Sequence, residues 1–405
     1  MVGFLGIPKL VSWFRSRHSW RKATFSEISA LYTAKVLRLL ALNLVSAFVL
    51  VYLYRAGHSI TYIAIFSAYR AFVNLLMTPL AAILVARLGA KRIILLSNLI
   101  YIPAIICYTN LSSDFSIALG GFLQSLTITL YQLAHDVIFS EVKSDDNAGT
   151  EIGYMAIFER ATAILSPLIG GVISTFASPT VVIIIASVLF VASTWPLFKT
   201  QDTAKKQHYF APLAFPFRKY AREMFFQIAP GFNTTVDKVW SLLLVAVIFA
   251  QQNSYLVTGV VSSVGGAIAV ATAFVVGKLL DRRRRYGYII FNSSTVLGAA
   301  LVALRAFVRT PLAAGATIIS SNMTSTARGI ATLREQFSRA DRSGTRVTYM
   351  MYRHLFWHLF AFVGCLVWIA AMVMTFDEVT GMRIFLVIAS VVASSFSLTG
   401  YWSEP

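Results

Sequence analysis

Residues 277–287, GKLLDRRRRYG, join two long apolar runs, and a weaker version, AILVARLGAKR, occupies residues 82–92, an offset of 195 positions. A charged side chain at mid-bilayer costs about 2.5–3.5 kcal/mol on insertion scales, so four consecutive arginines belong at a turn held among headgroups. The same offset relates AGTEIGYM at 148–155 to SGTRVTYM at 343–350, with Gly, Thr, Tyr and Met in register. Two matches at one offset, each at an end of an apolar run, indicate an internal duplication.

The surrounding composition agrees. The chain is 57% hydrophobic and 13% charged, with mean hydropathy +0.70. Soluble domains carry about 25% charged residues. Apolar segments recur at 31–54, 60–86, 92–109, 115–139, 151–176, 180–198, 226–251, 256–278, 287–306, 311–330, 347–375 and 380–401. They read as helices, because open strands cannot cross lipid. The expectation is an all-α polytopic membrane protein with about twelve spans in two six-helix bundles. The bundles are parallel repeats about an axis along the membrane normal. Their expected limits are 30–198 and 226–402, with a basic linker at 199–225 and a basic amphipathic segment at 1–29.

A net charge of +18 suggests nucleic-acid binding in a soluble protein. Here its placement matters more than its sum. Most of the 35 Lys and Arg fall before the first span, in even-numbered loops and in the linker. The other side holds Arg55, Arg305, Arg309 and Arg383. The positive-inside rule then makes both termini cytoplasmic, in a multi-pass protein expected in the cell membrane. Cys107 and Cys365 lie within spans, as buried free thiols.

Six plus six helices, cytoplasmic termini and a basic central loop resemble the major facilitator superfamily. Its loop motif, Gly-x-Leu-Ala-Asp-Arg-x-Gly-x-Lys/Arg, is matched by Gly277, Asp281 and Arg282, with Arg284 in place of the second Gly. The first-half copy keeps Arg87 and Gly89 but has Ala82 for Gly and Ala86 for the acidic residue. SPLIGG at 166–171 is similar to the family's Gly-Pro-x-x-Gly-Gly, with Pro167, Gly170 and Gly171 retained. That motif implies a lean toward exporters and antiporters. The resemblance implies that the 277–287 turn latches the halves together. A plain topogenic charge cluster is the alternative.

Ionisable residues inside the spans are few and should face a wet cavity or a partner. Glu159, Arg70 and Asp237 lie on the order of 13–17 Å deep, counted along the helix at about 1.5 Å per residue. Glu159 and His354 differ by 195, so they hold equivalent places across the pseudo-axis. The expected substrate-binding set is Arg70, Glu159, Arg160, Asp237, Lys238, Asn322 and His354, with Glu159 and Asp237 as proton carriers. Lys35 and Arg38 are expected to snorkel. His354 and His358 lack a third metal ligand in the pattern, and no phosphate-binding loop or nucleophile triad is present. No cofactor, metal, nucleic-acid partner or enzyme activity is expected. The functional expectation is a monomeric secondary transporter in the bilayer that moves a small molecule by alternating access. Proton-coupled antiport and efflux are the leading form, and the cationic surplus suggests an anionic or amphiphilic substrate. An organic-anion symporter or uniporter, a lipid flippase and a non-transporting assembly factor remain open.

Overall fold

The computed structural model describes residues 22–45, 49–110, 112–143, 148–176, 179–198, 210, 212, 215–248, 254–282 and 284–395. The expected basic segment lies outside the described residues up to position 21, as do residues 199–209 of the linker and everything beyond 395.

Twelve helical spans are found where the apolar segments predict them. α1 is Lys22–Val45, resumed as Val49–Arg55; α2 is Ile60–Leu88, α3 Ala90–Cys107 and α4 Asp114–Val142. α5 is Ala148–Phe176, and α6 is Pro179–Ala192 with a short turn at Trp195–Phe198. A linker helix, Phe217–Phe225, precedes α7, Ile228–Leu243, which runs into a π-helical turn at Leu244–Ile248. α8 is Ser254–Arg282, α9 Arg284–Arg305, α10 Pro311–Arg342, α11 Arg346–Thr375 and α12 Glu378–Ser395. Among the described residues, eight helical stretches are long and apolar enough to cross a membrane by length and composition.

Local signals explain the ends. Ser59, Ser113 and Thr310 cap α2, α4 and α10 by accepting the N–H three residues on, and Pro311 opens α10. Gly89 turns the α2–α3 corner at φ 86°, a conformation open to glycine and strained for other residues. This explains why the first-half loop motif keeps its Gly.

The packing repeats with the sequence. α2 packs on α11 as α8 packs on α5, and α1 on α5 as α7 on α11. α2–α4, α3–α4 and α1–α6 are likewise matched by α8–α10, α9–α10 and α7–α12. Adding six to each helix number exchanges the partners, as a parallel two-fold repeat requires. The α5–α8 seam is closed by glycine: a Cβ on Gly277 would lie 3.0 Å from the Gly149 carbonyl oxygen, and one on Gly153 3.0 Å from that of Ala273.

Two apolar clusters join the bundles, one at each end. The first lies at the face bearing the α2–α3 and α8–α9 corners, here the basic face. It unites Val85, Val137 and Ile152 with Leu280, Phe337 and Tyr349. The second, at the opposite face, unites Leu53 and Ile63 with Phe232, Trp368 and Phe385. Arg70 on α2, Asn322 on α10 and His358 on α11 fall between them in sequence. A polar layer is therefore enclosed between two apolar ends.

Candidate functional site

The polar layer draws its side chains from α1, α2, α4, α5, α7, α10 and α11. α1 supplies Lys35 and Arg38. Both were expected to snorkel, and both are instead turned inward. Lys35 Nζ lies 2.5 Å from Glu159 Oε1 on α5. Arg38 is 2% exposed, stacks 3.8 Å from the Tyr131 ring centroid, and donates to Asn98 Oδ1 and to Ser97 Oγ at 3.4 Å. The reason is the face of α1 they share: it packs on α5 and α6, not on lipid.

A second cluster ties the bundles together. Asp136 on α4 accepts from Arg353 Nη2 at 2.7 Å and lies 3.0 Å from His354 Nε2, both on α11. His135 Nδ1 is 3.6 Å from the other Asp136 oxygen, and Arg353 Nη1 donates to Gln336 Oε1 on α10 at 2.7 Å. Above His354, the His358 ring stacks at 6.1 Å. Glu159 and His354, equivalent by the repeat, thus have different partners, Lys35 and Asp136.

The other expected residues are distributed as follows. Arg160 Nη2 reaches Ser325 Oγ across the bundle boundary at 3.4 Å. Asn322 packs against Gly265, where an added Cβ would lie 2.7 Å from its Nδ2. Asp237 and Lys238 diverge, as neighbours about 100° apart on a helix do. Asp237 keeps 77% of its side chain exposed and lies 3.6 Å from Arg305. Lys238 lies one turn beyond Thr235, whose hydroxyl donates to the Ala361 carbonyl oxygen of α11 at 3.2 Å. Arg70 places its guanidinium 5.8 Å from the Phe66 ring, and its buried Nε has no hydrogen-bond partner. Arg70 and Glu159, both expected in the site, make no contact with each other. Among the described residues no group of three or more His, Cys, Asp and Glu could hold a metal ion.

The loop motifs act at the basic face. Asp281 Oδ1 accepts the Gly149 N–H at 2.9 Å, its Oδ2 accepts the Thr150 N–H at 2.8 Å, and the Thr150 hydroxyl also donates to it. A carboxylate of one bundle thereby caps the first turn of a helix in the other. Arg87 is exposed in the last turn of α2. The side chains of Arg282 and Pro167, and the surroundings of Gly170 and Gly171, lie outside the described residues. Beside this cap stands an ion quartet that the sequence reading missed. Asp341 pairs with Lys143 at 2.6 Å and with Arg346 at 2.6 Å, and Arg346 pairs with Glu141 at 3.2 Å. At the opposite face, Glu378 Oε1 accepts the Thr61 N–H at 2.9 Å and its hydroxyl at 2.8 Å.

Twelve helices in two repeated bundles around an enclosed polar layer define a membrane transporter fold. The Major Facilitator Superfamily model matches residues 31–364, and the chain belongs to that family. It is similar in fold to FucP in the outward conformation, at 14% identity over 93% of this chain and 99% of that one, with TM-score 0.67. A variant of the E. coli fucose:proton symporter FucP gives 13% identity, 93% and 98% coverage and TM-score 0.66. The human organic anion transporter MFSD10 (TETRAN) gives 13% identity, 94% and 100% coverage and TM-score 0.65. No curated protein matches the chain in sequence.

Proposed function

We propose that this transporter moves a small organic anion together with protons by alternating access, in a cell membrane with the basic face toward the cytoplasm. The two bundles, residues 30–198 and 226–402, rock about the polar layer, joined by the linker at 199–225. One observation carries the substrate class. Within the spans, Arg38, Arg70, Arg160, Lys238 and Arg328 have no carboxylate within 4.0 Å among the described residues. Each such cation costs about 2.5–3.5 kcal/mol in lipid. An anion about 4 Å away returns about 4 kcal/mol at an effective dielectric constant of about 20. A negatively charged substrate therefore offsets what the chain spends on keeping these cations. The polar layer is also incompletely satisfied: Asn233 Nδ2, Ser321 Oγ and Thr326 Oγ1 are buried without partners. A dry scaffold has no use for them.

The Lys35–Glu159 pair supports the sign of coupling. An anion that draws Lys35 away leaves the Glu159 carboxylate free to hold a proton. A proton on Glu159 conversely frees Lys35 for the anion. The two ligands then bind together, which is cotransport. This differs from the antiport suggested by SPLIGG. Proteoliposomes with an imposed pH gradient test both points, using labelled glucuronate, succinate and benzoate against uncharged fucose. At least one anion should accumulate on the alkaline side, and Glu159→Gln should abolish the pH drive. Accumulation of fucose alone overturns the anion reading, and accumulation on the acid side restores antiport.

A further inference from the structure

We propose that His354 and His358 form a proton relay along α11, carrying protons between Asp136 and the cation site at Lys238 and Arg70. The proposal rests on the transport reading and adds the route by which the proton reaches the anion.

The geometry is that of a relay. His354 Nε2 meets Asp136 Oδ2 at 3.0 Å, while its other nitrogen, Nδ1, is buried with no partner. His358 lies one turn further along the helix, its ring centroid 6.1 Å away at 25°. Its Nε2 is likewise buried and unpartnered. Two rings on successive turns, each with an unpartnered buried nitrogen, are ones that a single water can bridge. A buried ring nitrogen left without a hydrogen bond is costly, and a shared water serves both. Beyond His358, α7 meets α11 where the Thr235 hydroxyl donates to the Ala361 carbonyl oxygen at 3.2 Å, and Lys238 follows one turn further along α7.

The surrounding charges are unequal at the two ends. α11 itself supplies Arg353, and α4 supplies His135 and Asp136. α7 supplies Lys238 and α2 supplies Arg70. α10 presents the neutral Gln336. The charged residues of α12, Glu378 and Arg383, belong to its first turns at the opposite face. The linker meets the start of α11 through Phe215, which stacks on Tyr352, and through Phe217 and Tyr220, which meet Tyr352 and Tyr349 edge-on. Its Arg218, Lys219 and Arg222 are exposed, and its Glu223 pairs with Arg339. One end of the relay therefore has a carboxylate together with Arg353, whose Nη2 lies 2.7 Å from Asp136 Oδ2 and 3.1 Å from His354 Nε2, and the other has only cations.

The step balances simply. Asp136 carboxylic acid gives its proton to His354 Nε2, leaving a carboxylate paired to Arg353. The imidazolium releases its Nδ1 proton through water to His358, which becomes the imidazolium beside Lys238. His354 is left as the other tautomer, and a ring flip resets it. A proton on His358 adds positive charge next to Lys238, so a bound anion and that proton stabilise each other.

Trp357 reports on this without any substrate. Its indole lies 5.4 Å from the His358 ring at 11° and 5.7 Å from His354, and its Nε1 donates to Thr234 Oγ1 at 3.1 Å, which fixes it in place. Protonated imidazole quenches a neighbouring indole. The full chain in lipid nanodiscs should show a reversible acid quench that disappears in Trp357→Phe. The quench should fall at least about twofold in His358→Gln and be displaced along the pH axis in Asp136→Asn. Emission from Trp357 that is flat with pH, or unchanged by His358→Gln, overturns the relay. Should His358→Gln fail to fold, His354→Gln gives the same decision. A quench present without pH-driven accumulation of the probe anions leaves the relay and removes cotransport. Accumulation without a quench does the reverse.

Discussion

Lys35 and Arg38 sit three residues apart on α1 and are neutralised differently. Lys35 has a carboxylate at 2.5 Å, whereas Arg38 has an aromatic face and neutral oxygens. The Glu159 side chain keeps 41% of its surface exposed, so the pair is worth far less than a dry ion pair. A double-mutant cycle with Lys35→Ala and Glu159→Ala should give a coupling of about 1 kcal/mol in thermal or denaturant stability. A coupling near zero would make Lys35 a substrate ligand rather than a partner of Glu159. Arg38→Leu replaces a buried cation by an apolar side chain. It should leave stability equal or raised, because the desolvation cost of the charge disappears with it. Unchanged uptake of the probe anions in that variant would exclude Arg38 from the substrate path. The depth of these residues was legible in the sequence, since counting along a helix fixes height. Their azimuth was not. At 100° per residue, which neighbour a side chain faces depends on how α1 packs on α5 and α6. Reading Lys35 as snorkelling was therefore a reading of height alone.

At the scale of elements, two helix starts in the first bundle are capped by carboxylates of the second. Asp281 serves α5 at the basic face and Glu378 serves α2 at the opposite face. An N-cap is worth about 0.5–2 kcal/mol, or about 2- to 30-fold in an open-to-closed ratio. The two should have opposite effects. Asp281→Ala should lengthen the distance between spin labels at Leu88 and Tyr286, exposed residues at the basic face. Glu378→Ala should lengthen that between Phe115 and Phe307 at the other face and leave the first unchanged. Equal responses at both faces would mean that neither carboxylate is a specific latch. Gly149→Ala should act like Asp281→Ala but more strongly, since its Cβ would lie 2.6 Å from Asp281 Oδ1 and 3.0 Å from the Gly277 carbonyl. Twelve spans were legible because hydrocarbon demands long apolar runs. The end of α10 was not: hydropathy stops it at 330, but the helix continues to Arg342. There the Glu335–Arg339 pair at 2.7 Å and polar contacts beyond the lipid maintain it.

For the whole molecule, the duplication predicts a second cap that is absent. Ala86 stands where Asp281 stands in the other half, and Thr345 stands where Thr150 does. Thr345 Oγ1 is accordingly buried without a partner, and its N–H turns to Ser343 Oγ at 3.2 Å. Ala86→Asp should supply the missing acceptor, hold the basic face closed and slow probe-anion uptake, with the Leu88–Tyr286 distance narrowed. An unchanged distance would show that the two halves no longer align at this corner. The fold was legible from the repeat, and so was a lopsided latch from Ala86; what stands at that corner in place of the cap needed the partner helix. The vacant corner is held instead by Lys143, Asp341, Arg346 and Glu141. The Asp341–Arg346 pair, each partner 27% exposed, is the part of this quartet that mobile ions screen, while Lys143 at 4% is shielded; a carboxylate capping neutral amides has no opposite full charge to lose. One corner of the basic face is thus sensitive to electrolyte and the other is not. Raising potassium chloride from about 0.01 M to about 1 M, where the screening length falls from about 30 to about 3 Å, should loosen the α4–α11 corner while α5–α8 stays shut. The ionic strength on that side of the membrane would then set how readily the carrier opens toward it.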